Sequence, residues 1–446
     1  MPPPGLSTHR GPAVDTGFVL AGHSRGVTCA VSLRCATEYL NISPNANKTG
    51  KQNPVNLNPG PNPLDQGAVS SMSQPAPEPL AQFCETRLGS PCIRATPLPG
   101  GGSRREFFRL ALADGRGVIG VLGHDLGEVR AFLLMTRHFA AQGIPVPEIL
   151  AEDPAVGLYA MEDLGNLTLA AALQAWREDT VTANPGAGDA AQGESDSGQA
   201  RRALETVVRW LAVIQVRGGR GLPPEALVEG AALDGAVFRK DLHRFAEHFL
   251  PRFAPGAATL EIASPAKGGR VAEDIEALLA RLDALPREPF CYRDFQGRNI
   301  MWVRRNWEQV EGPVFLDYQS GRPGPLPYDM ASLLYSPDTG VGETLRGHLL
   351  GTYLEALAGE GVILVRDEFL EDFYPVLLVR RLQALGAYAD LGAAQGKPGY
   401  LEQIPLAVAD LAALLREGRF HLGLPALERW LKDVLEEAGR GEGQGM

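Results

Sequence analysis

The segment YRDFQGRNIMW, residues 292–302, constrains the fold of this chain most, because it places charged and amide side chains between apolar ones. Phe290 precedes it, and Ile300, Met301 and Trp302 close it. A turn on the surface rarely needs such apolar flanks. A second apolar segment, VFLDYQ, follows shortly afterwards. Together they predict two short buried strands with a polar loop between them.

The spacing of polar groups in these two segments fits phosphoryl transfer. Asp294 precedes Asn299 by five residues. In transfer to a hydroxyl, a carboxylate accepts the proton of the attacking oxygen, and a nearby amide can bind the metal that bridges the nucleotide phosphates. Asp317, at the end of VFLD, could chelate Mg²⁺ from the opposite side. Asp-capped turns, with Asn299 bonded to the backbone, explain the same residues equally well.

A glycine-rich stretch, LPGGGSRREFF, lies between two predicted strands. Its backbone amides could cradle phosphate oxygens, and Arg104 or Arg105 could add positive charge. A hairpin turn without any ligand explains the pattern as well. The candidate phosphate-binding positions are Gly100, Gly101, Gly102, Ser103, Arg104 and Arg105.

The order of the predicted elements indicates the fold class. The apolar runs of REFFRLALADGRGVIGVL, joined by residues 114–117, predict a hairpin, and GEVRAFLLMTRHFAAQG predicts a helix that ends at Gly143. From Ala200 onward helical patterns dominate. We therefore predict an α+β, protein-kinase-like bilobal fold, with a small strand-rich lobe, a larger helical lobe and a cleft between them.

Composition sets the predicted boundaries. Residues 1–83 are rich in Pro, Asn, Ser and Gly and lack periodicity, so we expect a disordered N-terminal extension. The small, acidic segment 180–199 is expected to be a disordered insertion. We assign residues 84–165 to a nucleotide-binding N-terminal lobe. Residues 166–440 are assigned to a C-terminal lobe with the catalytic and acceptor-binding groups.

Charge and cysteine content exclude several classes of partner. The net charge of -11 and the pI near 5.3 argue against nucleic acid. No apolar run approaches the roughly 20 residues of a membrane span. Five scattered cysteines fit reduced thiols, so we expect a cytoplasmic protein that acts on a small molecule. The sequence leaves the oligomeric state open.

These motifs, with the tail RRLQALGAYADLGAAQGKPGYLEQIP, resemble the aminoglycoside phosphotransferase/choline kinase superfamily, whose members share the protein-kinase fold. The resemblance covers roughly residues 85–437 and extends to the bacterial anomeric kinases of N-acetylmuramate and N-acetylglucosamine. It implies ATP-dependent transfer of the γ-phosphate to a hydroxyl of a small molecule, with an N-acetyl amino sugar favoured. An amino alcohol, an aminoglycoside, or a catalytically silent nucleotide-binding role stays open.

The resemblance also implies roles for particular residues. Asp294 becomes the catalytic base, with Arg298 as a second catalytic candidate, and Asn299 and Asp317 become ligands of Mg²⁺. Asp329 resembles the acidic residue that supports the catalytic loop. The segment YAMEDLG resembles the hinge whose backbone meets the adenine of ATP. Its candidate residues are Met161, Glu162 and Asp163.

The chain departs from the family pattern at two places. Tyr292 stands where the catalytic loop usually begins with His. No Lys occurs between Lys51 and Lys240, so GVIGVL lacks the third-strand Lys that grips the nucleotide phosphates, and Glu128 loses its usual partner. An Arg of the preceding segment could supply the charge, although Arg and Lys differ in geometry. The candidates are Arg104, Arg105 and Arg109.

Two groups late in the chain leave the acceptor open. Arg380 and Arg381 could form a solvated stripe, or one of them could reach an anionic group of a substrate. An aminoglycoside pocket would need clustered carboxylates. The candidates for it are Glu368, Glu371, Asp372 and Asp390.

Overall fold

The N-terminal lobe is built around one antiparallel sheet. The computed structural model describes residues 75–99, 104–183, 198–256, 269–305, 310–418, 420 and 422–440, all within the compact unit Ser73–Met446. The sheet has the order β1-β2-β3-β5-β4. Its strands are β1 (Cys92–Pro97), β2 (Glu106–Leu112), β3 (Gly117–Leu122), β4 (Ile149–Asp153) and β5 (Leu158–Glu162).

The two faces of the sheet bury different partners, because side chains alternate along each strand. Leu158 and Ala160 of β5 pack against Leu80 and Phe83 of helix α1 (Glu78–Phe83). The opposite face, which includes Ile119, Val121, Tyr159 and Met161, packs against helix α2 (Leu126–Ala141). The predicted hairpin is confirmed by the pairing of β2 with β3.

Helix α2 has defined signals at both ends. The Asp125 side chain accepts hydrogen bonds from the N–H groups of Gly127 and Glu128, as expected of an N-cap. The helix ends at Ala141, and Gly143 adopts a φ of 73° that favours glycine. The predicted helix is thus confirmed, and Glu128 is held in its first turn.

The C-terminal lobe is mainly helical, which confirms the predicted α+β, protein-kinase-like bilobal architecture. Its helices are α3 (Leu169–Ala183), α4 (Gly198–Val213), α5 (Gly235–Arg244), α6 (Leu250–Phe253), α7 (Arg270–Asp283), α8 (Pro327–Leu334), α9 (Glu343–Gly359), α10 (Arg366–Ala389), α11 (Ile404–Arg416) and α12 (Pro425–Arg440). Short strand pairs hold the polar loops: β6 (Phe290–Cys291) with β9 (Arg322–Pro323), and β7 (Ile300–Arg305) with β8 (Val310–Phe315). Within the described ranges, none of these helices combines the length and apolar character needed to cross a membrane.

Two predicted boundaries are wrong. Residues 78–83, assigned to the disordered extension, form α1, and Leu80 and Phe83 are buried. Residues 1–74 lie outside the described part of the chain. Helix α3 continues to Ala183 and α4 begins at Gly198, so both ends of the predicted insertion 180–199 are helical. Residues 184–197 also lie outside the described ranges.

Candidate active site

A cleft between the lobes forms a cavity of about 520 Å³. The sheet contributes apolar side chains to its roof, and the C-terminal lobe contributes polar groups to its floor. Its lining includes Phe107, Ile119, Phe132, Met161, Glu162, Asp163, Arg298, Asn299, Leu316 and Asp317. The cleft therefore has an apolar end beside the hinge and a polar end beside the predicted catalytic loop, as expected of a small-molecule pocket.

The predicted catalytic loop and the end of the strand that precedes Asp317 are joined by backbone and side-chain hydrogen bonds. The Asn299 amide donates a hydrogen bond of 2.8 Å to the backbone oxygen of Asp294. The N–H of Leu316 donates one of 3.0 Å to the backbone oxygen of Asn299. Ser320 Oγ donates to Asp294 Oδ2 at 3.3 Å. These bonds join the Asp294–Asn299 loop to the strand end that carries Asp317, 23 positions after Asp294.

Asp329 of α8 supports the predicted catalytic loop through hydrogen bonds to its backbone. Its buried carboxylate accepts hydrogen bonds from the backbone N–H groups of Tyr292 (2.8 Å) and Arg293 (2.9 Å). Gln215 Nε2 adds a third bond of 3.0 Å. Burial raises the pKa of Asp329 to about 6, although these donors oppose the rise. Ionised Asp329 fixes the two residues before Asp294.

Tyr292 occupies the centre of a stack of buried aromatic rings. Its ring meets those of Phe295 (5.2 Å) and Tyr318 (5.9 Å), and its hydroxyl donates to the backbone oxygen of Leu316. Tyr318 also stacks on Phe132 of α2 at 5.3 Å. This stack connects α2 to both segments that carry the candidate catalytic residues. Tyr at position 292 therefore has the contacts of a structural hub.

A buried guanidinium lies between two carboxylates at the polar end of the cleft. Arg105 pairs with Glu128 of α2 at 3.2 Å and with Asp317 at 2.6 Å. Gln319 Nε2 donates to the same carboxylates, at 3.1 Å to Glu128 and 2.9 Å to Asp317. Ile119 of β3 lines the cavity as an apolar residue of the strand that lacks Lys. The cation that pairs with Glu128 comes from the start of the second strand.

Arg109 has a different role from Arg105. Its guanidinium forms a bidentate pair with Asp163, at 2.7 and 3.0 Å, and donates to the backbone oxygen of Gly165. The predicted hinge residues Met161, Glu162 and Asp163 all line the cavity. Because the pair ties β2 to the chain after β5, Arg109 holds the hinge rather than the polar end.

The remaining predicted phosphate-binding and catalytic residues differ in where they lie and in how exposed they are. Gly100, Gly101, Gly102 and Ser103 lie outside the described residues. Arg104 is exposed, unlike its neighbour Arg105. Arg298 is exposed and lines the cleft, and its backbone N–H donates to Asp338 at 3.1 Å.

Two oxygens have the chemistry of a magnesium site. Among the described residues, Oδ1 of Asn299 and Oδ2 of Asp317 accept no hydrogen bond, while the other polar atom of each side chain is engaged. Mg²⁺ in nucleotide sites usually takes one or two such ligands and completes its shell with phosphate oxygens and water. The pair fits that requirement, and both residues line the cleft.

The predicted solvated stripe of α10 is wrong, because Arg380 and Arg381 are both buried. Arg380 Nε donates to Ser332 Oγ at 2.8 Å. Arg381 pairs with Asp410 at 3.0 Å and donates to the backbone oxygen of Tyr335. Helix α10 is enclosed by other helices, so these charges face protein partners.

The acidic residues considered for an aminoglycoside pocket do not converge. Glu368, Glu371 and Asp372 lie at the start of α10, and Asp390 follows its end. At ~1.5 Å per residue, about 33 Å of helix separates Glu368 from Asp390. Asp390 is also paired with Arg244 at 2.7 Å. These four carboxylates cannot surround one small cation.

Sequence reasoning missed three residues of the site. Ser320 bonds Asp294, Gln319 bonds Glu128 and Asp317, and Gln215 of the helical lobe bonds Asp329. Ser320 and Gln319 stand beside Asp317 in DYQSG, so their position in the sequence was a usable signal. Gln215 lies 114 residues from Asp329, and no local pattern marks it.

Several known proteins are similar to this chain in sequence. The model of the APH family, described as "Phosphotransferase enzyme family", matches residues 94–364. An N-acetylmuramate/N-acetylglucosamine kinase of Pseudomonas aeruginosa is 26% identical over 317 residues, which cover 71% of this chain and 82% of the relative. The kinase of the same name from Neisseria meningitidis is 25% identical and covers 68% and 79%.

Solved structures that resemble this chain share less sequence identity with it. The ethanolamine kinase of Plasmodium vivax has a TM-score of 0.45 and 11% identity, covering 72% of this chain and 81% of that chain. A choline kinase of Streptococcus pneumoniae has a TM-score of 0.45 and 12% identity, covering 71% and 94%.

Proposed function

Because this chain belongs to the APH phosphotransferase enzyme family and is a small-molecule phosphotransferase, we propose that it moves the γ-phosphate of ATP to a hydroxyl of an N-acetyl amino sugar. The observation that carries the proposal is that Asn299 and Asp317 line the polar end of one cleft, while Asn299 is bonded to the backbone oxygen of Asp294. The names of the curated relatives support the acceptor class.

The nucleotide is proposed to lie with its adenine at the apolar end. Met161, Glu162 and Asp163 bring the hinge backbone to that end, and Ile119 and Phe132 provide an apolar roof. The phosphates would then extend toward Asn299 and Asp317. Arg105 is the proposed phosphate-facing cation, with the loop of residues 100–103 and Arg104 as further candidates.

The proposed chemistry needs one proton acceptor and one metal site. Asp294 would accept the proton of the acceptor hydroxyl, and its bond with Ser320 would hold the carboxylate in place. Asn299 and Asp317 would hold Mg²⁺, which when bound neutralises charge on the phosphates. Arg298, exposed in the cleft and four residues after Asp294, is proposed to stabilise the transferred phosphoryl group.

A panel of acceptors tests this function. Purified protein would be incubated with Mg-ATP and N-acetylglucosamine, N-acetylmuramate, choline, ethanolamine or kanamycin, while ADP release is followed. We expect ADP release to depend on an N-acetyl amino sugar. Dependence on choline, ethanolamine or kanamycin alone would replace the proposed acceptor. Nucleotide binding without transfer to any acceptor would favour a silent nucleotide-binding role.

The free cysteines support a proposal about the cellular compartment of the protein. Cys84, Cys92 and Cys291 are free. Free thiols are maintained in reducing compartments, so a cytoplasmic location is proposed. Fractionation of the native host, with immunodetection of the chain, would test it.

A further inference from the structure

Arg293 has an unusual backbone conformation next to the proposed base. Its φ is 77°, a region that non-glycine residues seldom adopt and that strains the backbone. Asp329 holds its N–H at 2.9 Å. That bond fixes one end of the residue only, since the side chain extends into the helical lobe toward α5 and α8. What fixes the side chain therefore contributes to the direction in which Asp294 projects.

The side chain of Arg293 meets one carboxylate, that of Asp241 on α5. Arg293 Nη1 lies 3.6 Å from Asp241 Oδ2, and both side chains are largely buried, at 14% and 10% exposure. No other ion pair of Arg293 occurs among the described residues. The guanidinium also lies over the ring of Tyr328, 5.8 Å from its centroid.

Several guanidinium groups lie near Asp241, and burial raises the pKa of this carboxyl although those groups oppose the rise. Arg322 and Arg244 also face it, but they have their own carboxylates, Glu229 and Asp390. Arg380 lies 5.7 Å from the centroid of the Tyr328 ring that Arg293 also contacts. Without Asp241, two buried guanidinium groups would share this region with no carboxylate between them.

We propose that Asp241 is a positioning residue for phosphoryl transfer: through its ion pair with Arg293, it fixes the turn that presents Asp294. The role rests on the proposed function, because it assumes that Asp294 is the base. Asp241 lies 53 residues before Asp294 and would touch neither nucleotide nor acceptor. Its effect would be on kcat, since a small misplacement of a reacting group can cost on the order of 10²-fold in rate.

The kinetic test uses Asp241→Asn, Arg293→Gln and the double variant. We expect each single variant to lower kcat at least 10-fold, with the KM values for ATP and acceptor within about threefold of the parent. The double variant should be no slower than the slower single one, because both changes remove the same contact. Multiplicative losses, or an unchanged kcat in folded Asp241→Asn, would overturn the proposal.

A matched control breaks another ion pair of the same helix. Arg239 of α5 pairs with Glu276 of α7 at 2.5 Å, on a more exposed surface. Glu276→Gln should leave kcat unchanged. An equal loss of kcat in this variant would mean that α5 acts only as a general support, which also overturns the proposal. Should Asp241→Asn not fold, Asp241→Glu retains the charge but displaces it; its kcat should fall several-fold, and an unchanged value would contradict the role.

Hydrogen exchange provides a readout that needs no acceptor. In Asp241→Asn, peptides covering residues 290–300 should exchange faster than in the parent, whereas Glu276→Gln should leave them unchanged. Unchanged exchange would overturn the proposal. Asp294→Asn separates the two hypotheses: if it keeps full turnover, the proposed function has failed. If it loses turnover while Asp241→Asn does not, only the positioning role has failed.

Discussion

Arg105 donates a hydrogen bond of 2.6 Å to Asp317, a residue 212 positions later in the chain. The same guanidinium pairs with Glu128. It thereby links the sheet, α2 and the proposed metal ligand in one buried cluster. Strand β3 contains no Lys, and the cation that pairs with Glu128 lies immediately before β2.

Loss of Arg105 should affect nucleotide binding. Arg105→Ala is expected to raise the KM for ATP about 10- to 100-fold, because a hydrogen bond to a charged group contributes about 1.5–3 kcal/mol. Arg105→Lys should recover part of the loss, since it keeps the charge but lacks the forked geometry. Steady-state kinetics would measure both. Arg116→Ala is the control, because Arg116 is exposed and pairs with Asp114 in the hairpin; an equal effect there would contradict the assignment.

The proposed base and the proposed metal ligand should respond differently. Asp294→Asn should lower kcat by about 10²–10⁴-fold, the usual contribution of a positioned base, while nucleotide binding persists. Asp317→Ala should abolish binding of Mg-nucleotide. Calorimetric titration with Mg-ADP would distinguish the two variants. Loss of binding in Asp294→Asn, or normal binding in Asp317→Ala, would contradict the proposed roles.

Activity should fall in mild acid for a reason other than unfolding. Asp329 has a raised pKa of about 6, and its protonation removes an acceptor from the N–H groups of Tyr292 and Arg293. We therefore expect kcat to fall between about pH 7 and pH 5. A group with a raised folded-state pKa contributes stability that is present below its unfolded pKa and lost as pH rises through about 6. Protonation of Asp329 as pH falls therefore does not destabilise the fold.

Parallel profiles of kcat and thermal unfolding would check this. The melting temperature should not fall with kcat over that range. A constant kcat down to pH 5, or a joint collapse of activity and melting temperature, would argue against Asp329 as the cause.

The boundary of the folded unit can be located with two truncations. A chain that starts at Ser73 should fold and keep kcat/KM within a few-fold of the parent. A chain that starts at Cys84 loses Leu80 and Phe83, which are 0% and 4% exposed. Burial of two such side chains contributes about 3–6 kcal/mol. Denaturant unfolding should show that difference; equal stability of the two chains would mean that α1 adds nothing.

Residues 184–197 are expected to be dispensable. Their replacement by a short Gly/Ser linker should leave kcat/KM within a few-fold, because loop-closure entropy changes slowly with length. The change leaves both α3 and α4 intact. Acceptor kinetics of the replaced chain would test this, and loss of turnover with normal unfolding would place the segment in the site.

Local signals explain which features could be predicted from the sequence. The hairpin of β2 and β3 and helix α2 depend on neighbouring residues, and the structure has both. The spacing of Asp294 and Asn299 is also a local signal, and the two residues are bonded to each other. Helix α1 was missed, because its Pro-containing sequence resembles the segment before it and its stability comes from packing against the sheet.

Long-range contacts explain why the partners of the arginines could not be predicted from the sequence. Three arginines are possible replacements for the missing Lys by sequence alone, and only the fold shows that Arg105 reaches Glu128 whereas Arg109 reaches Asp163. A solvated stripe was one of two alternatives for Arg380 and Arg381, because charge usually marks an exposed face. Enclosure of α10 by its neighbours overrides that rule.

The most direct test of the account is transfer of labelled phosphate from γ-labelled ATP to N-acetylglucosamine or N-acetylmuramate. The parent chain and Asp294→Asn would be compared under single-turnover conditions, with the labelled product identified by mass spectrometry. The account predicts a phosphorylated amino sugar from the parent, formed at least 10²-fold more slowly by the variant. Absence of labelled sugar from the parent, or equal rates for both proteins, would contradict it.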